Sequence, residues 1–240
     1  MSKLALLSLL LPLLAFAQAK RPVDEGMTDK GPVRLTIVNH ASLMIEGSGQ
    51  VIHVDPVGVN RYSDLPPADL ILITHAHGDH LDPAAIEKLR KPNTLILGPE
   101  PVARKLNGVT TIRNGESRQF GDWGIEAVPA YNLKRGPSPG TFYHPKGDGN
   151  GYVLSFGGER AYIAGDTELI PEMKDLKGIN VAFLPMNLPY TMTPEEAAEA
   201  AKILAPRMVY PYHYRGTDLT ALQKALEGTG IEVCIRDWYY

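Results

Sequence analysis

The stretch Thr74-His75-Ala76-His77-Gly78-Asp79-His80 places four metal-binding side chains within six residues. It follows an apolar run that predicts a buried strand over 70–74, and it precedes a predicted helix whose N-cap is Asp82. His75 and His77 project to the same side of an extended segment, because side chains alternate along a strand. Asp79 and His80 then come from the turn that enters the helix, and Gly78 gives that turn its backbone freedom.

Imidazole and carboxylate groups together suit zinc, iron or manganese, and four such groups packed together without a cation would be costly. The alternative is a surface histidine cluster that binds nothing, and random composition seldom produces one between a strand and a helix. The stretch therefore predicts a metal site at the edge of a rigid scaffold, where functional residues usually lie.

Elsewhere, short β-type runs bounded by Gly, Pro, Asn or Asp alternate with a few helices. Strands are predicted over 33–38, 43–45, 51–54, 94–97, 109–112, 123–128, 152–156, 160–164, 181–184, 208–210 and 231–235, and helices over 83–90, 101–106, 193–204 and 218–226. This pattern predicts one α/β or α+β domain. The segment from Tyr131 to Gly151 has no periodicity over about twenty residues, which favours a functional or lid role.

Composition excludes several classes of protein. The 240 residues are 44% hydrophobic and 21% charged, which is ordinary for a globular chain. With 24 Lys and Arg against 27 Asp and Glu, the net charge is −3, so no basic excess exists to bind a nucleic-acid backbone. The single cysteine, Cys234, excludes an internal disulfide framework.

The N-terminus has the pattern of a secretory signal peptide. Lys3 precedes an apolar run over 4–17, and Ala17-Gln18-Ala19 fits a small-x-small cleavage site. We therefore predict a signal peptide over residues 1–19, a mature domain over residues 20–240, and export to the periplasm or the extracellular space. No later segment is long and apolar enough to be expected to cross a membrane.

These motifs together resemble those of the metallo-β-lactamase superfamily. His75-Ala76-His77-Gly78-Asp79-His80 matches the HxHxDH motif, and Ala164-Gly165-Asp166-Thr167 is similar to the GDT segment of that family. Asn39-His40-Ala41-Ser42 and Val54-Asp55-Pro56 resemble the early strands of its lactonase-like branch, and Pro211-Tyr212-His213 resembles its last ligand segment. The resemblance covers nearly the whole mature chain. It implies an α/β fold, a four-layer αβ/βα sandwich with the metal site at one edge between the sheets.

The resemblance also implies a ligand set for two divalent metal ions, zinc in the first place with manganese or iron as alternatives. His75 and His77 would bind the first metal. Asp79, His80 and His213 would bind the second, and Asp166 would bridge the two.

One ligand of the first metal departs from the family pattern. The family has a histidine after the strand that ends at Ala130, and here Tyr131-Asn132 follow instead. The nearest histidine is His144, in Tyr143-His144-Pro145-Lys146. A variant with YN followed by HPK is familiar in the superfamily, so His144 is a candidate for the missing ligand. The alternative is that His144 faces substrate and leaves the first site weaker or vacant.

Five further residues are candidates for supporting or substrate-binding roles, namely His40, Asp55, Tyr131, Asn132 and Lys146. His40 lies near the site by resemblance, with a hydrogen-bonded structural histidine as the alternative. Asp55 would orient a metal-binding histidine, or only close a strand-end turn. Lys146 would suit an anionic substrate, although solvated loop charges are more common.

The predicted function is an exported metal-dependent hydrolase that attacks a small ester, lactone or phosphodiester with a metal-bound hydroxide. Asp79 is the candidate catalytic group, because a carboxylate there could orient or deprotonate the water. No GxSxG, SxxK, HExxH or P-loop motif offers another chemistry.

Two alternatives remain open at this point. One is a phosphodiesterase or nuclease. The other is a catalytically idle metal-binding protein of the same fold, which the absence of a histidine after Ala130 would suit. In the leading interpretation the partner is a small-molecule substrate. The fold itself does not determine which substrate it is.

Overall fold

Two seven-stranded sheets lie at the centre of the molecule, and the computed structural model describes residues 21–240. The predicted signal peptide over residues 1–19 lies outside the described residues. The first sheet has the order β1 (Val23–Thr28), β2 (Gly31–Asn39), β3 (Ser42–Gly47), β4 (Gln50–Val54), β5 (Ala68–Leu72), β6 (Arg90–Gly98) and β7 (Thr110–Thr111). The second has the order β14 (Glu232–Val233), β13 (Met208–Tyr212), β12 (Val181–Pro185), β11 (Glu159–Ile163), β10 (Gly149–Phe156), β9 (Trp123–Ala130) and β8 (Ser117–Phe120).

Each sheet joins an antiparallel half to a parallel half. Strands β1 to β4 pair antiparallel and β4 to β7 pair parallel, while β8 to β11 pair antiparallel and β11 to β14 pair parallel. Parallel neighbours end at the same edge of a sheet, so residues that follow them are brought together. The segments after β4, β5, β11 and β13 therefore meet at one edge of the molecule.

Helices cover the outer face of each sheet. The structure has α1 (Pro83–Leu89) and α2 (Glu100–Lys105) over the first sheet, and α3 (Pro194–Leu204) and α4 (Thr220–Leu226) over the second. The Asp82 side chain accepts hydrogen bonds from the amides of Ala84 and Ala85, which caps α1 as predicted. The layers run helix, sheet, sheet, helix, which confirms the four-layer αβ/βα sandwich.

Strand β5 shows why the apolar run before the histidines is continuous. Leu70 and Leu72 face the core between the sheets, and Ile71 packs with α1 in the outer layer. A parallel strand covered on both faces needs apolar side chains at every position rather than alternate ones. This covering fixes the point at which the chain leaves the sheet and enters the histidine stretch.

Two strands were not predicted, and both lie at sheet edges. Strand β1 is mostly polar and half-exposed, and it pairs with β2 through a hairpin in which Val23 lies opposite Thr36 and Thr28 opposite Gly31. Strand β8 has the sequence Ser-Arg-Gln-Phe. Because an edge strand is held by backbone pairing on one side, charged residues are tolerated there and the apolar pattern is lost.

We expect a buried histidine in β4 to make folding stability depend on pH. His53 has no exposed surface, and its Nε2 atom lies 3.0 Å from the carbonyl oxygen of Pro66. Burial lowers the pKa of His53 to about 4, from an ordinary 6.5. The unfolded chain therefore takes up a proton that the folded protein does not, and stability is lost as the pH falls below the unfolded pKa.

Between about pH 7 and about pH 5 this uptake removes about 2 kcal/mol of unfolding free energy. His53→Gln keeps a donor for the carbonyl oxygen of Pro66, but a glutamine side chain does not titrate. Between the two pH values the variant should therefore lose about 2 kcal/mol less unfolding free energy than the wild type. Urea unfolding of both metal-free proteins at the two pH values measures the difference. The same loss in both proteins would contradict the prediction.

Candidate metal centre

The segment from Thr74 to His80 turns back on itself where it leaves the first sheet. The amides of His80 and Leu81 both donate to the carbonyl oxygen of His77, at 3.1 and 2.9 Å. This turn brings the ring of His80 to 4.1 Å from that of His75, and the Nδ1 atom of His77 to 3.1 Å from Nε2 of His75. The predicted motif therefore presents its imidazoles to one common space.

The other predicted ligands come from the second sheet. Asp166 follows β11 and His213 follows β13, at the shared edge where these parallel strands end. Gly165 precedes Asp166 with φ +66, and a Cβ atom there would lie 2.8 Å from the carbonyl oxygen of Asn150. Only glycine satisfies both the backbone angle and the close approach, which explains the glycine of the GDT segment.

Hydrogen bonds across the two sheets hold this edge together. The amide of Asn150 in β10 donates to the carbonyl oxygen of Thr74 at 2.8 Å. The hydroxyl of Tyr152 donates to the carbonyl oxygen of Ile73 at 2.8 Å. The amide of His213 donates to the carbonyl oxygen of His40 at 3.0 Å. The backbone next to the predicted ligands is therefore tied from sheet to sheet.

The carboxylate of Asp166 lies at the centre of the cluster and is only 4% exposed. Its oxygens lie 3.3 Å from the Nε2 atoms of His80, His144 and His213, and 3.9 Å from Nε2 of His75. The structure thus brings His144 to the same carboxylate as the other histidines, although the long loop supplies it.

The predicted ligands other than Asp166 fall into two groups, and His40, which was not predicted as a ligand, joins the second of them. One group consists of His75, His77 and His144, and the other of Asp79, His80, His213 and His40. Within each group the candidate ligand atoms lie within 4.8 Å of one another. The structure therefore brings together all seven residues that the sequence proposes as ligands.

Several of these atoms lack a hydrogen-bond partner among residues 21–240. They are Nε2 of His80, Nε2 of His144, both ring nitrogens of His213 and Oδ1 of Asp166, and all of them are buried. A buried polar atom without a partner costs about 1–3 kcal/mol. Nitrogen and carboxylate lone pairs that face one another unpaired are the donor set that a divalent cation satisfies, so the residues fit a metal centre.

Electrostatics in the cluster also favour added positive charge. Burial alone would raise the pKa of Asp166, but His213 and His80 hold that pKa well below its usual range. Burial alone would lower the pKa of His80, but the carboxylates of Asp166 and Asp55 raise it well above its usual value. The carboxylates of Asp166 and Asp55 therefore stabilise a positive charge at His80, which lies between them.

Asp55 holds His80 from behind, as the sequence proposes. Its Oδ2 atom lies 2.7 Å from Nδ1 of His80 and accepts the hydroxyl of Thr74 at 2.6 Å, while Oδ1 accepts the amide of Thr74 at 2.7 Å. The Thr74 hydroxyl has given its only proton to Asp55, so it accepts from Nδ1 of His75 at 3.0 Å. This leaves the Nε2 lone pair of His75 toward the cluster.

His40 lies inside the second group rather than merely near it. Its Nε2 atom lies 3.2 Å from Oδ2 of Asp79, and its ring lies 3.9 Å from the ring of His213. On the other side, Nδ1 of His40 lies 2.8 Å from the hydroxyl of Tyr239, which also accepts the amide of Arg215. Tyr239 was not predicted, because a tyrosine next to the last residue of the chain has no motif around it.

The two halves of Tyr131-Asn132 lie in different places. Asn132 is buried and its Oδ1 atom lies 2.8 Å from Nδ1 of His144. The hydroxyl of Tyr131 instead donates to Glu172, which also binds Lys146 at 2.6 Å. Tyr131 and Lys146 therefore pair on the outer side of the loop, and the structure does not bring them to the cluster.

A cavity of about 190 Å³ opens beside the first group of ligands. Its wall includes His75, His77, His144, Asp166, Tyr143 and Lys105. The residues that could hold metal therefore lie beside a small cavity, where a small molecule could be bound.

Comparison with known proteins agrees with this geometry. A family model described as the beta-lactamase superfamily domain matches residues 34–213. A UPF0173 metal-dependent hydrolase from Thermococcus kodakarensis is 35% identical over 195 residues, which cover 76% of this chain and 84% of that protein.

Solved structures give the same result. A crystal structure named as that of a metal-dependent hydrolase from Parabacteroides distasonis is 46% identical, with a TM-score of 0.85, and the match covers 92% of this chain and 100% of that one. The metallo hydrolase Igni18 from Ignicoccus hospitalis is 26% identical, with a TM-score of 0.71, and covers 87% of this chain and 96% of its own.

We expect Asp55→Asn to weaken metal binding. The substitution turns an amide group toward Nδ1 of His80 or toward Thr74, so one of these donors loses its acceptor. Loss of such an outer partner lowers metal affinity by about 10–100-fold. Competition with a chromogenic chelator measures the affinity.

Asp69→Asn is the matched control, because Asp69 is a partly exposed carboxylate that binds Lys91 and the amide of Val51 away from the cluster. Equal metal affinity in both variants would show that Asp55 does not support the site.

Proposed function

The chain belongs to the beta-lactamase superfamily, and we propose that it is an exported hydrolase that uses two divalent metal ions to cleave a small ester or lactone. The observation that carries the proposal is the buried Asp166 carboxylate between two groups of ligands, in which Nε2 of His80, Nε2 of His144 and both ring nitrogens of His213 lack hydrogen-bond partners among residues 21–240. Metal dependence and hydrolysis also appear in the names of its relatives.

His75, His77 and His144 would hold one ion, Asp79, His80 and His213 the other, and Asp166 would contact both. A mixed set of imidazoles and carboxylates suits zinc, and manganese or iron are the alternatives. When bound, such a pair of ions supplies a nucleophilic water at neutral pH and polarises the oxygen of the scissile group.

Asp79 is the residue of this chain that can handle the proton of the attacking water. Burial alone would raise its pKa, but the ring of His213, 3.6 Å away, and a hydrogen bond with His40 lower that pKa, so Asp79 remains a carboxylate. Its side chain is 52% exposed, whereas Asp166 is enclosed. A charged, accessible carboxylate at the cluster can orient water and accept its proton.

The mouth of the site favours a substrate with an apolar group. Six large apolar side chains are exposed in residues 21–240, and four of them, Leu133, Phe142, Leu188 and Tyr190, lie on two loops that meet at Tyr143, a residue of the cavity wall. The loops touch, because Asn132 donates to the carbonyl oxygen of Tyr190 and the Tyr143 ring packs at 4.8 Å from the Tyr190 ring. Exposed apolar residues gathered beside a cleft indicate a binding surface.

The cations of the long loop are already paired. Lys134 binds Glu196, Arg135 binds Glu168 and Glu196, and Lys146 binds Glu172. These ion pairs reduce their attraction for an anionic substrate, which favours an uncharged ester or lactone over a phosphodiester.

One observation supports a phosphodiesterase as the second candidate. Lys105 lines the cavity, and its Nζ atom donates to the carbonyl oxygen of Ala76 at 2.8 Å. Among the described residues Lys105 forms no ion pair, so its charge is available to a phosphate group.

The export half of the proposal rests on the apolar N-terminal run and the cleavage pattern before Lys20. Within residues 21–240, no helix has the length and apolar character needed to cross a bilayer. The partner we propose is therefore a small molecule that reaches the protein outside the cytoplasm.

We expect the zinc-loaded protein to hydrolyse p-nitrophenyl esters or γ-lactones faster than bis-p-nitrophenyl phosphate. Asp166→Asn removes the charge that both ligand groups share, so kcat/KM should fall by at least about 100-fold, with loss of bound metal by mass spectrometry. Asp29→Asn, on an exposed turn, is the matched control.

Activity on the phosphodiester alone would select the second candidate. No activity on any of these substrates, with one metal or none bound, would favour the idle metal-binding protein.

We expect the apolar rim to set a preference for longer acyl chains. Burial of a methylene is worth about 0.8 kcal/mol, so kcat/KM should rise by up to about fourfold for each methylene that reaches the rim. Replacing Leu188 and Tyr190 with serine should flatten this increase across p-nitrophenyl acetate, butyrate and hexanoate.

Val59→Ser is the control, because Val59 is an exposed apolar residue away from the site, in the turn before β5. An increase with chain length that survives in the double variant would rule out the rim as the acyl-binding surface.

A further inference from the structure

Asn132 stands at the point in the chain where the resemblance implies a metal-binding histidine, and its hydrogen bonds determine how its amide is oriented. Its Nδ2 atom lies 3.1 Å from Oε1 of Glu168 and 2.8 Å from the carbonyl oxygen of Tyr190. Both neighbours can only accept, because a carboxylate and a backbone carbonyl carry no proton. The NH₂ group of Asn132 must therefore face them, and its oxygen must face the opposite side.

On that opposite side lies His144. The Oδ1 atom of Asn132 lies 2.8 Å from the backbone amide of His144 and 2.8 Å from its Nδ1 atom. Since the oxygen can only accept, Nδ1 of His144 must carry a proton. The neutral ring then has its lone pair on Nε2, and this atom lies 3.3 Å from Asp166 without a hydrogen-bond partner among residues 21–240.

Glu168 is one of three groups that prevent Asn132 from flipping, together with the carbonyl oxygen of Tyr190 and the backbone amide of His144. It is 2% exposed, and besides Asn132 its Oε1 atom accepts the amides of Lys134 and Arg135, at 3.3 and 2.7 Å. Its other oxygen lies 3.3 Å from the guanidinium of Arg135. The same guanidinium forms a second ion pair with Glu196 at 2.7 Å. The carboxylate of Glu168 is thus held by two backbone amides and one ion pair in addition to Asn132.

We propose that Asn132 and Glu168 are positioning residues that fix His144 as an Nε2 ligand, so that a loop histidine and a buried amide together replace the histidine expected after Ala130. The inference rests on the proposed metal centre, but not on any substrate or on catalysis. Asn132 of the YN pair and His144 of the HPK segment are twelve residues apart in the sequence, but they contact each other directly. The proposal therefore gives these two sequence features one shared role.

The test begins with the wild-type, metal-free protein. Nitrogen-15 NMR of the imidazole side chains at about pH 8, where an ordinary imidazole is neutral, distinguishes the two tautomers, and His144→Ala assigns the signal. We expect a single tautomer with the proton on Nδ1. A His144 ring with no proton on Nδ1 overturns the proposal without any need for a substituted Asn132.

Asn132→Ala should then release the constraint and give a mixture of tautomers for His144. The same variant should bind one zinc ion about 10–100-fold more weakly while the second is held as in the wild type. His144→Ala should reduce the metal content from two equivalents toward one. Two equivalents with unchanged affinity in both variants would overturn the proposal.

Two controls separate positioning from general disruption. Glu168→Gln keeps an oxygen acceptor for Asn132 and should retain the Nδ1–H tautomer, whereas Glu168→Leu leaves the carbonyl oxygen of Tyr190 as the remaining acceptor and should admit part of the other tautomer. Asn114→Ala removes an amide that bonds the carbonyl oxygens of Val128 and Gly149 but does not contact His144. It should leave the His144 signal unchanged, and a tautomer mixture in this variant would show that the effect is not specific to Asn132.

The outcome is independent of the proposed hydrolysis. A protein that shows the expected tautomer and metal contents but cleaves no ester keeps the positioning role and loses the proposed function. A protein that hydrolyses esters but binds two metals after His144→Ala keeps the function and loses the positioning role.

Discussion

The negative charge of Asp166 is the constraint on which the site depends. The carboxylate is enclosed, and a buried charge is stable only when other charges or hydrogen bonds compensate it. Its nearest partners are ring nitrogens from three separate parts of the chain: His80 beside the first sheet, His144 on the loop and His213 at the end of the second sheet. Ring nitrogens and a carboxylate that face one another without hydrogen bonds would be compensated by cations held between them, which requires that both sheets and the loop are correctly placed.

This requirement explains why the two sheets are tied together at the site edge by hydrogen bonds as well as by apolar packing. Apolar packing is not directional, so it permits small shifts of one sheet over the other. The bonds from Asn150 to Thr74 and from His213 to His40 are directional and end on residues that carry or adjoin ligands. They fix the relative position of the sheets where an error of an ångström would matter most.

The residue pattern predicted an α/β or α+β domain and a metal site in the stretch from Thr74 to His80, whereas the sandwich, Asp166 and His213 were implied by the resemblance to the metallo-β-lactamase superfamily. A parallel strand covered on both faces must be apolar throughout, as β5 is, and polar ligands then stand out where such a strand ends. Edge strands β1 and β8 lacked that signal because backbone pairing holds them. Glu168 and Tyr239 also lacked it, since each acts through one hydrogen bond to a residue distant in the chain, and no local pattern records such a contact.

The long loop was predicted to have a functional or lid role, and its contacts favour the first. A lid must open and close, so it is drawn from segments with few buried contacts. Here the segment after β9 is held by Glu168 and Arg135 from within and by Glu172 from outside. Opening it would withdraw His144 from Asp166 and expose a buried carboxylate at Glu168 without its donors. A loop that supplies a ligand in this way contributes to the site by staying in place, and the cavity is open to solvent beside His77 and Lys105, whose side chains line it and are exposed.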